Sequence, residues 1–434
     1  SCVRCGRCKT GCCVFFPHGN LFYHPRNKNM ALTAIIEALL YDAQRDHAVG
    51  LRPLRWLGEI ADHCTLCRKC LSPCPVNIDT AEVTILEREV LAARRAGSTA
   101  RPTRMVLGYL ASQSGWTNRF VRRTLLQWGG AMQRAGARLI GRRWRPIRLL
   151  GPFYAPAPPI APQPLAAWCP PHEPRQALLV SPEQTPTATV FYFPGCGSER
   201  LHTEIALAAL YLLLQSGVRV VLPPKYLCCG YPFRANAKAD LNSRRELHNT
   251  IIFNQIRSML GDLDFDGCLI TCGTCREALM RTNAADIFGA PLSDAVAFAL
   301  DRGLEVRLTG PLLYHQPCHD SMQDRGQELL RAIAPGGVVT VPDCCSEAGT
   351  LALSRPDLAA AMLERKRASL MAAADRLDHG RRLLTNCPAC LNGLFRSRFA
   401  PPVHVAVALA RSHAPEDWKD KAIERLARAE TIRF

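Results

Sequence analysis

Apolar positions along the chain change their spacing three times. Ala31, Ala34, Ile35, Ala38, Leu39 and Tyr41 recur with the period of an amphipathic helix, and residues 1–93 read as a small α-helical module. Further on, Phe120, Leu125, Trp128, Met132, Leu139 and Ile140 recur at helical spacing, with Arg119, Arg123, Arg134 and Arg138 on other faces and Gly129-Gly130 predicting an interruption. Residues 146–186 then hold twelve prolines in 41 positions, which reads as an extended connector. From Ala188 the texture becomes short β-branched or aromatic runs alternating with helical patterns, as in parallel-sheet α/β units. Strands are predicted over 190–193, 218–222, 269–271, 312–315, 338–341 and 383–385, with a helix over 205–214.

Cysteines follow these predicted strands in two matching sets. Cys196, Cys228-Cys229 and Cys272-x-x-Cys275 recur as Cys318, Cys344-Cys345 and Cys387-x-x-Cys390, offset by 122, 116 and 115 residues, which marks an internal duplication. Adjacent cysteines do not readily bridge each other, and zinc sites favour spaced ligands. Five thiols per copy therefore point to iron–sulfur ligation of an unusual kind, with dithiol chemistry at the CxxC pairs and zinc as the weaker alternatives. In open α/β sheets ligands bind past the carboxyl ends of strands, where helix N-termini also point. Backbone N–H groups and the helix dipole there lower thiol pKa values and stabilise an anionic cluster.

Two more blocks lie upstream: Cys2-x2-Cys5-x2-Cys8-x3-Cys12, and Cys64-x2-Cys67-x2-Cys70-x3-Cys74-Pro75. This is the spacing of two-cluster ferredoxins, in which three cysteines of a run hold one cubane and the fourth crosses to the other. On that rule Cys2, Cys5, Cys8 and Cys74 form one [4Fe-4S] site, and Cys64, Cys67, Cys70 and Cys12 the second. Cys13 stands where the other block has Pro75, and reads as a buried spectator; Cys169 and Cys268 read as structural. The expected fold is an α-helical ferredoxin module (1–93), a basic amphipathic segment and Pro-rich linker (94–187), and two duplicated parallel-sheet α/β cysteine-rich domains (188–310 and 311–434).

Composition narrows the class further. At 434 residues with 48% apolar content the chain can build two or three cores, so its 21 cysteines are not needed as disulfide staples. Metal chemistry in a reducing compartment fits better. The longest apolar run, 205–214, is too short to cross a bilayer. The net charge of +17 is local: residues 94–148 carry thirteen arginines and no acidic residue, leaving 41 basic against 37 acidic residues elsewhere. An Arg-rich face opposite Trp and Leu fits a helix lying in a membrane surface, or one packed on protein; nucleic acid is the weakest reading. Ser1 followed at once by Cys2 reads as the trimmed part of something longer, or as a processed subunit. No Gly-rich dinucleotide or flavin motif occurs in these residues.

The C…CC-G…CxxC pattern resembles the cysteine-rich CCG domains found in one subunit of heterodisulfide reductase and in the iron–sulfur subunits of glycolate oxidase and of anaerobic glycerol-3-phosphate dehydrogenase. The stretch from Asn20 to Lys28, with Ala61-Asp62-His63-Cys64-Thr65, is similar to the iron–sulfur half of large bacterial FAD-linked D-2-hydroxyacid dehydrogenases. The resemblance implies one or two further clusters, of non-cubane type in heterodisulfide reductase. Cys196, Cys228, Cys229, Cys272 and Cys275 would hold one, and Cys318, Cys344, Cys345, Cys387 and Cys390 the other. His319, next to Cys318, would either tune a cluster through an N–H to sulfur bond or be satisfied by backbone. Two departures set the copies apart: Ser346 stands where the first has Gly230, and 25 rather than 31 residues separate the first two cysteine positions. If one copy alone holds a cluster, the first is expected to. The implied function is electron transfer from FAD, on a partner or upstream domain, to a quinone or other acceptor. The chain would be cytoplasmic, or peripheral on the inner face of the cell membrane through 94–148. Disulfide reduction at a CCG cluster and a zinc-stapled scaffold are the alternatives.

Overall fold

A computed structural model describes residues 2–15, 21–46, 54–94, 99–140, 156–171, 173, 175–347, 351–377 and 382–434. Helices Pro25–Asp46, Leu54–Asp62 and Thr80–Ala93 form the N-terminal module. Ala31, Ile35 and Leu39, three of the periodic positions, pack with Leu32 against Leu57, Ile60, Ala61 and Leu91. Asp79 caps the third helix by accepting hydrogen bonds from the N–H groups of Ala81 and Glu82.

The basic segment forms helices Arg101–Ala111 and Gly115–Val121, a π-helical stretch Arg122–Gly129, and helix Gly130–Ile140. Gly129-Gly130 does not break the run, contrary to the expectation from sequence. It marks the junction where the wide π turns tighten back to α, since a glycine pair costs a helix about 2 kcal/mol but does not forbid it. Arg142, Arg143, Arg145 and Arg148 lie outside the described residues. No helix among the described residues is long and apolar enough to cross a membrane.

Among the described residues, ten strands build two sheets. In chain order they are β1 (Gln176–Val180), β2 (Ala188–Phe193), β3 (Val218–Leu222), β4 (Gly267–Ile270), β5 (Leu292–Asp294), β6 (Leu312–His315), β7 (Val338–Thr340), β8 (Arg382–Thr385), β9 (Pro402–His404) and β10 (Glu430–Arg433). The first sheet has the order β10-β1-β3-β2-β4-β5 and the second β7-β6-β8-β9. Strands β3-β2-β4-β5 are all parallel and repeat the order of β7-β6-β8-β9, so the duplication is one of topology as well as of cysteines. The Pro-rich stretch read as a connector contributes β1, which joins β3 antiparallel, and β10 returns from the end of the second copy to pair with β1.

That crossover locks the two lobes together, and so does helix Thr203–Gln215. Its residues from Ile205 to Leu214 are all buried, because the helix lies in a core shared with helices Val405–His413 and Trp418–Ala427 of the second lobe. A helix apolar on every face is stable only when it is covered on every face.

Candidate metal centre

Each lobe presents its cysteines from the loops that follow three adjacent parallel strands. Cys196 follows β2, Cys228-Cys229 follow β3, and Cys272 follows β4 as the N-cap of helix Gly273–Arg281. In the second lobe Cys318, Cys344-Cys345 and Cys387 hold the same places, and Cys387 caps helix Pro388–Arg396. Both capping cysteines are extended, with φ/ψ of −152/126° and −149/124°. None of the 21 cysteines forms a disulfide.

The lobes face each other through these loops. A Cβ on Gly273 would lie 1.8 Å from the carbonyl oxygen of His319, and one on Gly197 would lie 2.8 Å from Cβ of Pro388. Only glycine permits either approach. Each CxxC helix of one lobe therefore sits against the lone-cysteine loop of the other. Asn386 joins the lobes too, donating to Asp294 Oδ2 (2.7 Å) and Ser321 Oγ (3.0 Å).

As a result the thiols form an unbroken series. In the first lobe Cys196 meets Cys228, Cys228 meets Cys229, Cys229 meets Cys275 and Cys275 meets Cys272. The second lobe repeats the order: Cys318 meets Cys344 (4.0 Å), then Cys345, Cys390 and Cys387 follow. Cys272 and Cys387 join the two runs across the interface. Hydrogen bonds donated by neighbouring thiols hold Cys228, Cys272 and Cys344 well below the usual thiol range, and push their donors up.

The N-terminal module docks on the second lobe at this same place. Cys13 is buried; its Sγ lies 3.3 Å from Thr65 Oγ1 and 3.7 Å from Cys67 Sγ, and it also meets Cys344. Cys67 in turn meets Cys318. Lys69 sits beside all four thiols, whose charges raise its pKa against the effect of burial. Cys12, Cys13, Val14 and Phe15 belong to the second lobe's apolar core. Arg355 of that lobe bonds His63 Nε2 at 2.7 Å, and His63 stacks on Tyr23 at 4.1 Å.

Within the module, burial pushes Cys70 up to about 12, with the charges of Cys64, Cys67 and Cys12 adding to the effect. Burial likewise raises Cys8, on which Cys2 and Cys5 act. Cys74 accepts a hydrogen bond from the N–H of Ile78 (3.4 Å) and lines a surface depression together with Arg7 and Thr10 of the first block.

Of the two readings of His319, the geometry favours the one satisfied away from sulfur. Its Nδ1 lies 3.0 Å from Glu277, and its Nε2 lies 3.0 Å from the Leu66 carbonyl and 3.2 Å from Tyr231 Oη. Both nitrogens therefore face oxygen rather than sulfur, and the residue clamps the module to the two lobes. The histidine that does face sulfur is His315, the last residue of β6. One of its ring nitrogens and the thiols of Cys345 and Cys390 all lie within 4.8 Å of one another, and all three residues are buried. Lys366, also buried, donates to His315 Nδ1 (3.0 Å) and to the carbonyls of Val341 (3.1 Å), Pro342 (2.6 Å) and Asp343 (3.3 Å). Sequence reasoning passed over both residues, although His315 stands three positions before Cys318 just as Phe193 stands before Cys196.

The first lobe has its own buried cation. Arg200 donates to the carbonyls of Tyr109, Leu110, Ser112 and Tyr226 and to Asn118 Oδ1 at 2.7–3.4 Å. These bonds seat helix Arg101–Ala111 over the first site, where Leu107, Tyr109 and Leu110 pack with Cys228, Phe233 and Cys196. Crowded, buried thiols at helix N-termini, with no disulfide among them and cations close by, fit iron–sulfur ligation.

Residues 1–78 match the 4Fe-4S dicluster domain family, and residues 190–280 and 312–395 each match the cysteine-rich CCG domain family. The chain is related to the iron–sulfur subunits of oxidoreductases. A probable glycolate oxidase iron–sulfur subunit of Bacillus subtilis is 21% identical over 90% of this chain and 87% of its own length. One subunit of the anaerobic glycerol-3-phosphate dehydrogenase of Escherichia coli K12 is 32% identical over 37% of this chain. An uncharacterised iron–sulfur protein of Methanococcus maripaludis is 29% identical over 46% of it. The matched part spans 44% of the Escherichia coli protein and 40% of the Methanococcus protein.

Proposed function

We propose that this chain is the electron-relay part of a flavin-dependent 2-hydroxyacid dehydrogenase. FAD would sit on a partner protein or domain, and the acceptor would be a quinone or an equivalent carrier. Oxidising a 2-hydroxyacid to the 2-oxoacid releases two electrons and two protons; when bound, clusters carry the electrons one at a time. The observation that carries the reading is the run of thiol contacts from Cys67, through Cys13 and Cys318, to the second CCG site and on to the first. A solitary catalytic cluster has no need of such continuity, whereas a relay requires its centres to be neighbours.

In that order the first CCG site is the exit, beneath helix Arg101–Ala111. The adjoining helices turn Trp116, Phe120, Leu125, Trp128 and Met132 to solvent, Trp128 and Met132 being 72% and 71% exposed. With Arg119, Arg123 and Arg134 beside them and no acidic residue in the segment, this surface suits the face of an anionic bilayer, where a lipid-soluble quinone would be met. Anaerobic purification and iron analysis test the reading. Two cubanes alone require about eight iron atoms per chain; a content of about four or fewer, or zinc in place of iron, would remove it.

A further inference from the structure

The two CCG sites match thiol for thiol, but one position beside them differs in kind. The first strand of each lobe's parallel set ends three residues before its lone cysteine, on Phe193 in the first lobe and on His315 in the second. Phe193 is a buried apolar ring packed with its neighbours. His315 is equally buried, and its two nitrogens are in unequal circumstances. Nδ1 receives a hydrogen bond from the Lys366 ammonium at 3.0 Å, whereas Nε2 has no hydrogen-bond partner among the described residues. Lys366 is held by three backbone carbonyls as well, so its position is over-determined.

Chemistry decides what Nε2 does. An ammonium has no lone pair, so Lys366 can only donate, and Nδ1 must accept. The neutral imidazole then carries its proton on Nε2, a buried donor with the thiols of Cys345 and Cys390 grouped around the ring. With the proton there, Nε2 has no lone pair to offer a metal.

We infer that His315 is a positioning residue that, once the site is loaded, donates its free Nε2–H to sulfur at the second CCG site, and so sets that cluster at a higher reduction potential than the same ligands would give alone. The inference rests on the reading that this site holds an iron–sulfur cluster. A hydrogen bond to a ligating sulfur stabilises the more negative, reduced cluster, and hydrogen bonding to sulfur is one of the levers on cluster potential. Phe193 offers the first site no such donor. His319, despite its place beside Cys318, spends both nitrogens on oxygen.

The test is redox titration of the anaerobically purified full chain, followed by EPR, in wild type, His315→Phe and His315→Gln. Phenylalanine copies the first lobe, and glutamine restores an N–H of similar reach. The expected result is an unchanged iron content in all three and a negative shift in the potential of one CCG signal in His315→Phe. Most of that shift should be recovered in His315→Gln, with the cubane potentials unmoved. An unshifted potential in His315→Phe, with the CCG signal present, would overturn the inference while leaving the relay reading intact. Loss of iron in both variants would overturn it differently, by making His315 a ligand. A wild-type chain with no CCG signal at all would overturn both readings together.

Discussion

The two CCG lobes share a strand order and a thiol order, yet each is embedded in different surroundings. The first site is closed by a helix from the basic segment and braced by Arg200, which holds four carbonyls and one amide oxygen. The second is closed by the N-terminal module, is braced by Lys366, and has Cys13 and His315 among its neighbours. Duplication thus produced equivalent ligand frames, and the segments outside the duplicated units made them unequal. On the relay reading the two like centres form a path with two ends, because Cys13 and Cys67 of the module meet thiols of the second site while helix Arg101–Ala111 covers the first.

Removing iron should expose that difference most strongly. The module has a small core of its own, whereas the first lobe has a large one, and metal-bound modules of this size draw their folding energy from the ligand. Chelation under reducing conditions is expected to abolish hydrogen-exchange protection across residues 54–94. Protection around Cys344 and Cys345 should weaken with it, since Cys12 to Phe15 share that core, while β2, β3 and β4 keep theirs. Uniform loss across both lobes would erase the distinction.

The buried cations come next. Arg200→Ala leaves four carbonyls without their donor, and the expected loss of stability is roughly 3–5 kcal/mol in denaturant unfolding. Lys366→Met strands three carbonyls and one imidazole nitrogen, and the expected loss is smaller, roughly 2–3 kcal/mol. Equal or reversed effects would mean that the two braces are not counterparts.

The exposed stripe beside the first lobe should matter to lipid and not to folding. Trp128→Ser with Met132→Ser is expected to change stability by no more than about 0.5 kcal/mol, yet to abolish flotation with anionic vesicles. Retained flotation would place the bilayer elsewhere. The smallest effect belongs to the Cys-Cys turns. Gly230 has φ +96°, and Ser346, at the same place in the second lobe, has φ +66°. The backbone shape is thus kept and the side chain bears the strain. Ser346→Gly should stabilise the second lobe by about 1 kcal/mol, read as a shift in unfolding midpoint.

Much of this was legible in the sequence, for identifiable reasons. Strands 218–222 and 312–315 fall where predicted because a short β-branched or apolar run ending at a cysteine loop admits few other readings. The cysteine sets stood out by spacing, and their grouping into CCG sites came from the resemblance. Strands β1 and β10 were not foreseen: β1 carries the apolar run Ala177 to Val180 but lies in the Pro-rich stretch read as a connector, and β10 is mostly exposed. The contacts of Cys13 and the place of His315 were not legible, because they depend on partners more than 50 residues distant or on a comparison between lobes, and neither is a local pattern. For His319 the sequence left two readings open, since it adjoins Cys318; its ring turns toward Glu277 and the Leu66 carbonyl.

The relay requires the second CCG site to lie between the module and the first CCG site. EPR relaxation measurements on the full chain test this most directly, with the two CCG signals assigned by Cys344→Ala and Cys228→Ala. Reducing the module's clusters should speed the spin relaxation of the signal lost in Cys344→Ala far more than that of the signal lost in Cys228→Ala. The opposite order, or equal enhancement of both, would contradict the relay.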